Sequence, residues 1–407
     1  MDLDLLDLDM FQRGEQDALF ARLRREAPVS WQDHPHGRGF WNVVQHGDVV
    51  RVNRDAALFS SEVGSISLLD PDERPDTVGG DTRGAMMITS DPPRHTRYRR
   101  LVNSGFTPRT MKAIEQSLAA RATKIIDLII EKGSCDFVTE VAAELPLQAI
   151  ADIMGVPQED RGRLFDWSNR MAGLDDPEYA TTDGTMASAE MYAYVNDLAR
   201  QRRAEPRDDI VTVLVNAEID GDRLSEIEFD MFMLLLTLAG NETTRNSTSF
   251  GMWALMENPE QYARLREHPE LMESAVEEML RWASPVLHFR RTATAHTELH
   301  GQRIAKGDKV VMWHISANRD EAVFNAPFRF DITRTPNNHV AFGGGGPHHC
   351  LGAYLARMQL RLIFKEIVAR IPDMQLAAKP ELLRSNVLRG VKHMPVVFTP
   401  GRRANAT

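Results

Sequence analysis

The chain reads as a mainly α-helical protein carrying small β-sheets, and three stretches support that reading. Leu224-Ser225-Glu-Ile-Glu228 is a capping box: the serine accepts from the backbone N–H three residues on, and Glu228 reaches back. The helix it opens can run to about Asn258, roughly 50 Å at 1.5 Å per residue, enough to cross a whole domain. Residues 111–209 read as successive amphipathic helices, interrupted around Leu174-Asp-Asp-Pro-Glu-Tyr. From Leu351 to Val368 apolar residues again recur at helical spacing. Strand-like pieces, by contrast, are short.

Composition bounds the rest. The 407 residues contain no Pro/Ser/Gly linker or break in composition, so one large domain spanning 1–407 is expected. Two cysteines, far apart, point to a reducing compartment. The first residues alternate aspartate with leucine, lack the layout of a signal peptide, and are followed by no apolar run of ~20 residues, which predicts a cytoplasmic protein without a membrane anchor. A net charge of −10 argues against nucleic-acid binding.

Taken in order, Asp17–Arg25 is helical, and Phe40-Trp-Asn-Val-Val and Asp48-Val-Val-Arg-Val are strand-like. Residues 61–86 are rich in turn formers and read as a loop. Pro92 and Pro93 suit a helix start, and His95 and Arg99, four apart, share one face of that helix. The long helix is apolar on all sides from Met231 to Leu238, the pattern of a buried helix. Into it the sequence inserts Ala239-Gly240, which permit close approach, and then Glu242-Thr243, an acid beside an alcohol. A buried carboxylate has a high desolvation cost unless paired and tends to mark function; the plain alternative is a helix kink with Thr243 bonded back to a carbonyl.

Glu278 and Arg281, three apart, share a helical face and form a structural pair, the planar guanidinium taking the carboxylate while still reaching backbone carbonyls. Pro285-Val-Leu-His-Phe-Arg-Arg291 leads into two hairpin-like stretches ending at Val310-Val-Met-Trp. Residues 327–331 and 337–339 form a positional meander. Pro372 closes the last long helix, and Leu388 to Phe398 reads as a hairpin.

Phe342-Gly-Gly-Gly-Gly-Pro-His348-His349-Cys350-Leu-Gly352 organises the chain. Four glycines free the backbone for positive φ and for close approach to a flat ligand, and Cys350 sits where the loop enters a helix. The helix dipole and the loop N–H groups there favour a thiolate. No Lys-Ser or Lys-Thr follows the glycines, which argues against phosphate binding. His348, His349 and Cys350 are too adjacent to close a zinc tetrahedron, and Cys135 has no CxxC partner.

Ala239-Gly-Asn-Glu-Thr-Thr244, Glu278-Met-Leu-Arg281 and the Cys350 loop, in this order, resemble the cytochrome P-450 superfamily of haem-thiolate monooxygenases over nearly the whole chain. Two departures stand out: Phe342 lies eight residues before Cys350, where the family more often has seven, and His349 replaces a usual aromatic or apolar residue. The resemblance implies a triangular fold with the long central helix over haem b. It makes Cys350 the iron ligand, with Phe342 and Gly352 in the haem loop, and His95, Arg99, Arg291 and His348 partners of the haem propionates. It also makes Glu242 and Thr243 the managers of protons in O2 chemistry, and Ala239, Gly240, Val286, Leu287 and Met171 substrate contacts, with Ala172 and Gly173 beside Met171.

By the same resemblance, residues 61–86 cover the cavity and the tail hairpin reaches it. Arg97, Arg100, Arg109 and Lys112 form a basic face for an acidic ferredoxin-type donor, itself served by a reductase. Stretches 239–246, 281–286, 316–321 and 384–393 are most similar to bacterial ω-hydroxylases of methyl-branched lipids, terpenoids and sterol side chains. That implies a terminal methyl of an elongated apolar substrate. A tailoring hydroxylase of a polyketide or other secondary metabolite, and a non-catalytic haem sensor, are the alternatives.

Overall fold

A computed structural model describes all residues except 1–3, 65, 74–83, 85, 104, 107, 173–175, 179–183, 219–220 and 405–407. The central helix spans Glu226–Glu257. Ser225 caps its start with the reciprocal Ser225–Glu228 bonds, and Asn258 closes its end. Around it pack Glu144–Met154, Arg161–Ala172, Gly184–Ala204, Met272–Ala283 and Ala353–Arg370. One apolar core, running from Val102 to Phe398, joins these helices to Pro108–Ile129.

Helices dominate and the sheets are small, as the fold class predicts. The largest has five strands. Val29–His34 pairs antiparallel with Gly37–Val43, which runs parallel to Lys309–Trp313; this strand pairs antiparallel with His288–Ala293, and Phe59–Ser60 completes the edge. Lys309–Trp313 is buried at every position, as a central strand must be.

Two expectations about local structure fail. Asp48–Val52 lies within a helix, His46–Arg54, whose Val49, Val52 and Asn53 turn inward together while Gly47, Arg51 and Arg54 stay exposed. A short apolar run does not by itself distinguish strand from helix. The tail is not one hairpin: Val391–His393 pairs with Glu381–Leu382, whereas Pro395–Val397 pairs with Ser134–Asp136 and Gln375–Leu376. Among the described residues no helix is long and apolar enough to cross a membrane.

Candidate functional site

The helix Ala353–Arg370 starts three residues beyond Cys350, which follows four glycines at φ +95°, +66°, +101° and +79°. All four lie in the left-handed region that side-chain-bearing residues avoid. The loop closes on itself through Cys350 N–H donating to the Phe342 carbonyl at 3.1 Å and His349 N–H to the Gly346 carbonyl at 3.2 Å. Arg99 donates to the carbonyls of Pro347 (3.3 Å) and His349 (2.5 Å). Phe342 lies beneath the Arg357 guanidinium, 4.5 Å from its ring centre, and Glu277 holds that arginine at 2.6 Å.

The Cys350 thiol is accessible from a cavity deep in the fold. Burial raises its pKa, while the Gly352 N–H and the charges of Arg99 and Arg357 pull it back toward the thiolate. The cavity encloses about 1420 Å³ free of protein atoms, its open mouth included. Phe342, Cys350, Gly352 and Leu355 line it from the loop side; Leu235, Leu236, Ala239, Gly240 and Thr243 line it from the central helix. Ala239 is exposed in the middle of an otherwise buried helix because it faces this space. Gly240 has a distinct reason: a Cβ there would come 2.3 Å from Ile150 Cδ1, so its bare backbone lets the helix Glu144–Met154 approach.

One edge of the cavity gathers His95, Arg99, Arg291 and His348. The two imidazole rings lie 4.3 Å apart. Burial, and then the charge of Arg99, lowers His95 to about 4; burial and Arg291 lower His348 to about 3, so both are neutral at pH 7. Burial also brings Arg291 down to about 10. Its hydrogen bonds go to the Arg290 carbonyl and to Asn53 Oδ1, each at 2.8 Å, and neither acceptor is charged. A buried guanidinium held only by neutral acceptors fits an anionic ligand group. With the open thiol and the apolar walls, the residues present fit a flat apolar cofactor that has a metal at its centre and carboxylates at one rim.

Other sequence candidates fall elsewhere. Thr243 faces the cavity, yet its hydroxyl donates to the Ala239 carbonyl at 2.7 Å, the back-bonded arrangement. Glu242 is off the cavity wall, buried and ion-paired with Arg245 on the same helix. Val286 lines the cavity, but Leu287 turns into a separate cluster with Phe11, Phe20 and Trp313, because successive residues of an extended chain point to opposite faces. Met171 also misses the wall: its sulfur accepts from Ser188 Oγ at 3.2 Å between two packed helices. The Ala172 side chain and Gly173 lie outside the described residues, as do 65, 74–83 and 85 of the stretch expected to cover the cavity; none of the described residues of that stretch is on the cavity wall. Met87 and Ile88, just after that stretch, do line it. The tail does not reach the cavity; Leu388 instead bridges to Val286 from behind.

Arg97 is not available for a partner, since Asp222 and Glu228 hold its guanidinium. The Arg109 side chain is outside the described residues, while Arg100 and Lys112 are exposed.

Glu278 and Arg281 pair through two bonds of 2.7 and 2.8 Å with both side chains fully buried. Arg281 also donates to the carbonyls of Asn318 and Pro327 at 2.8 and 2.9 Å. Sequence reading missed a second cation: Arg334 donates to both Glu278 oxygens and to the carbonyls of Asn325, Ala326 and Arg329. Asn53 and Phe289 on the cavity wall were missed as well, and no local motif marks either.

A family model described as cytochrome P450 matches residues 147–371. A steroid C26-monooxygenase of Mycolicibacterium smegmatis is 44% identical over 413 residues, covering 100% of this chain and 96% of the relative. A methyl-branched lipid omega-hydroxylase of Mycobacterium tuberculosis is 40% identical over 412 residues, covering 98% and 95%. The solved structure of a Mycobacterium marinum cytochrome P450 in complex with pseudoionone superposes with a TM-score of 0.90 at 38% identity, covering 98% of this chain and 99% of that one.

Proposed function

The chain belongs to the cytochrome P450 family, whose members are monooxygenases with a cysteine-ligated haem b, and from that premise we propose that it hydroxylates a terminal methyl of a methyl-branched lipid, terpenoid or sterol side chain. One observation carries the site assignment: the Cys350 thiol opens into the same apolar cavity that Ala239, Gly240 and Thr243 border, and two arginines hydrogen-bonded only to neutral acceptors collect at one edge. When bound, the haem supplies dioxygen activation: with two electrons and two protons, one oxygen atom enters a C–H bond and the other leaves as water.

Cys350 supplies the thiolate, held by the Gly352 N–H and favoured by Arg99 and Arg357. Arg99, Arg291 and the imidazoles of His95 and His348 receive the propionates. Leu235, Leu236, Val286, Phe289, Met87 and Ile88 give the substrate an apolar bed and exclude water. Thr243 holds a proton donor at the cavity by exchanging its bond to the Ala239 carbonyl for one to a water. Glu242 has to leave Arg245 before it can relay a proton there, so its resting position is off duty. The terminal-methyl assignment follows the relatives named for steroid C26 and lipid omega positions. Electrons come from a ferredoxin-type donor, a reading supported, on an acidic protein, by Arg100, exposed on the helix that carries Arg99, and by Lys112, exposed on the next helix.

Substrate-binding difference spectroscopy on the holoprotein tests this reading. Sterol and methyl-branched lipid chains are expected to move the Soret band toward the high-spin position, and product analysis should find a primary alcohol. Ring hydroxylation, or a response to macrolides alone, would overturn the substrate assignment. A reduced carbon-monoxide complex lacking the red-shifted Soret band would overturn the ligation.

A further inference from the structure

We propose that Asn53 is a positioning residue that aims Arg291 at the acidic rim of the cofactor and ties that aim to the glycine loop carrying Cys350. The inference rests on the assignment of Arg291 to a propionate. Asn53 stands near the end of the helix His46–Arg54, 3% exposed and on the cavity wall. Its Oδ1 accepts from the Arg291 guanidinium at 2.8 Å, and its Nδ2 donates to the Gly345 carbonyl at 3.4 Å. The same turn grips the loop twice more. A Cβ on Gly346 would lie 2.6 Å from the Asn53 carbonyl, and Arg54 Nε donates to the Gly344 carbonyl at 3.1 Å. The amide orientation is fixed by its neighbours, because a flip would set NH2 against NH2 and oxygen against oxygen.

A primary amide suits this place for a physical reason. It gives a buried guanidinium one acceptor without neutralising it, so a positive charge opposed only through space by Asp91 is left for a ligand carboxylate. Aspartate would cancel that charge before the cofactor arrived. Leucine would leave one guanidinium N–H without its acceptor and free the side chain to turn.

Haem transfer from the holoprotein to excess apomyoglobin, together with the iron reduction potential, tests the proposal on Asn53→Leu, Asn53→Asp, Asn53→Ser, Arg291→Leu and the double variant Asn53→Leu/Arg291→Leu. Asn53→Leu and Asn53→Asp are expected to speed transfer by roughly 10-fold, the usual scale for partners that orient a ligand-holding group. Asn53→Ser, which keeps an acceptor, should fall between them and the natural chain, and it serves where a harsher change does not fold. Asn53→Asp should also move the potential to more negative values than Asn53→Leu does, an effect that loss of packing alone would not give. In the double variant, removing Asn53 should add nothing to the loss of Arg291. If Arg291→Leu speeds transfer while every Asn53 variant matches the natural chain, the role of Asn53 is overturned and that of Arg291 stands. If Arg291→Leu itself changes nothing, both fall.

Discussion

Gly346→Ala should loosen the loop that presents Cys350, and the size of the effect can be worked from the structure. Gly346 sits at φ +79°, where an L-residue costs about 1–2 kcal/mol. A Cβ there would meet the Asn53 carbonyl oxygen at 2.6 Å and Arg54 Cα at 3.0 Å, both backbone atoms that cannot swing aside. Crowding of that kind adds about 1–3 kcal/mol, and the stiffer unfolded chain returns about 0.4–1 kcal/mol, so a net loss of about 1–4.6 kcal/mol is expected. Gly307→Ala is the control. Gly307 has φ +91° with nothing within 4 Å of the added methyl, so only the conformational part applies. Urea titration of both variants, followed by circular dichroism and by the Soret band of the reduced carbon-monoxide complex, separates the two contributions. Equal destabilisation by the two substitutions would refute the claim that helix His46–Arg54 braces the glycines from outside.

Three further outcomes are expected. Glu278→Ala strands the buried guanidinium of Arg281 and deprives Arg334 of its carboxylate, a loss of about 3–5 kcal/mol for one broken buried pair; recovery of folded holoprotein with a normal carbon-monoxide spectrum would exclude that role. Thr243→Ala should divert electrons into peroxide or water, read as less hydroxylated product per NADH consumed in the reconstituted system, and undiminished coupling would remove Thr243 from proton delivery. The third concerns pH. His393 bonds to Asp136 at 2.8 Å and Glu178 at 3.3 Å, and the Asp136 bond above all raises its pKa from 6.5. The folded state therefore binds the proton more tightly, and this contribution is full below about 6.5 and lost as pH rises through the raised value. Nearby Asp176 and Glu178 are lowered and Lys392 is raised, so all three stay charged across that window. Thermal unfolding of His393→Gln measured from pH 5 to 9 should lack the natural chain's decline over that range, and parallel curves would count against the clamp.

The large elements were legible because their signals are local. The Ser225 capping box sets the start of the central helix to the residue, and four glycines before Cys350 announce the left-handed turn that the structure contains. Glu278 and Arg281 were readable as a pair for the same reason, being three apart on one helix. What escaped is what only the tertiary fold brings together. Arg334 reaches Glu278 across 56 residues, and Asn53 reaches Arg291 across 238. The patch reading of Arg97 failed because its acidic partners, Asp222 and Glu228, come from the approach to another helix. Leu287 and Met171 show a second limit: position along an element says which segment nears the cavity, but the facing of each side chain depends on neighbours that sequence does not name.

Glu228 closes the N-terminal cap of the central helix and also receives Arg97 and Tyr98 from the helix that bears His95 and Arg99. The two helices are thereby pinned at a single carboxylate. Losing that one carboxylate would therefore undo the helix cap and the link between the two helices together.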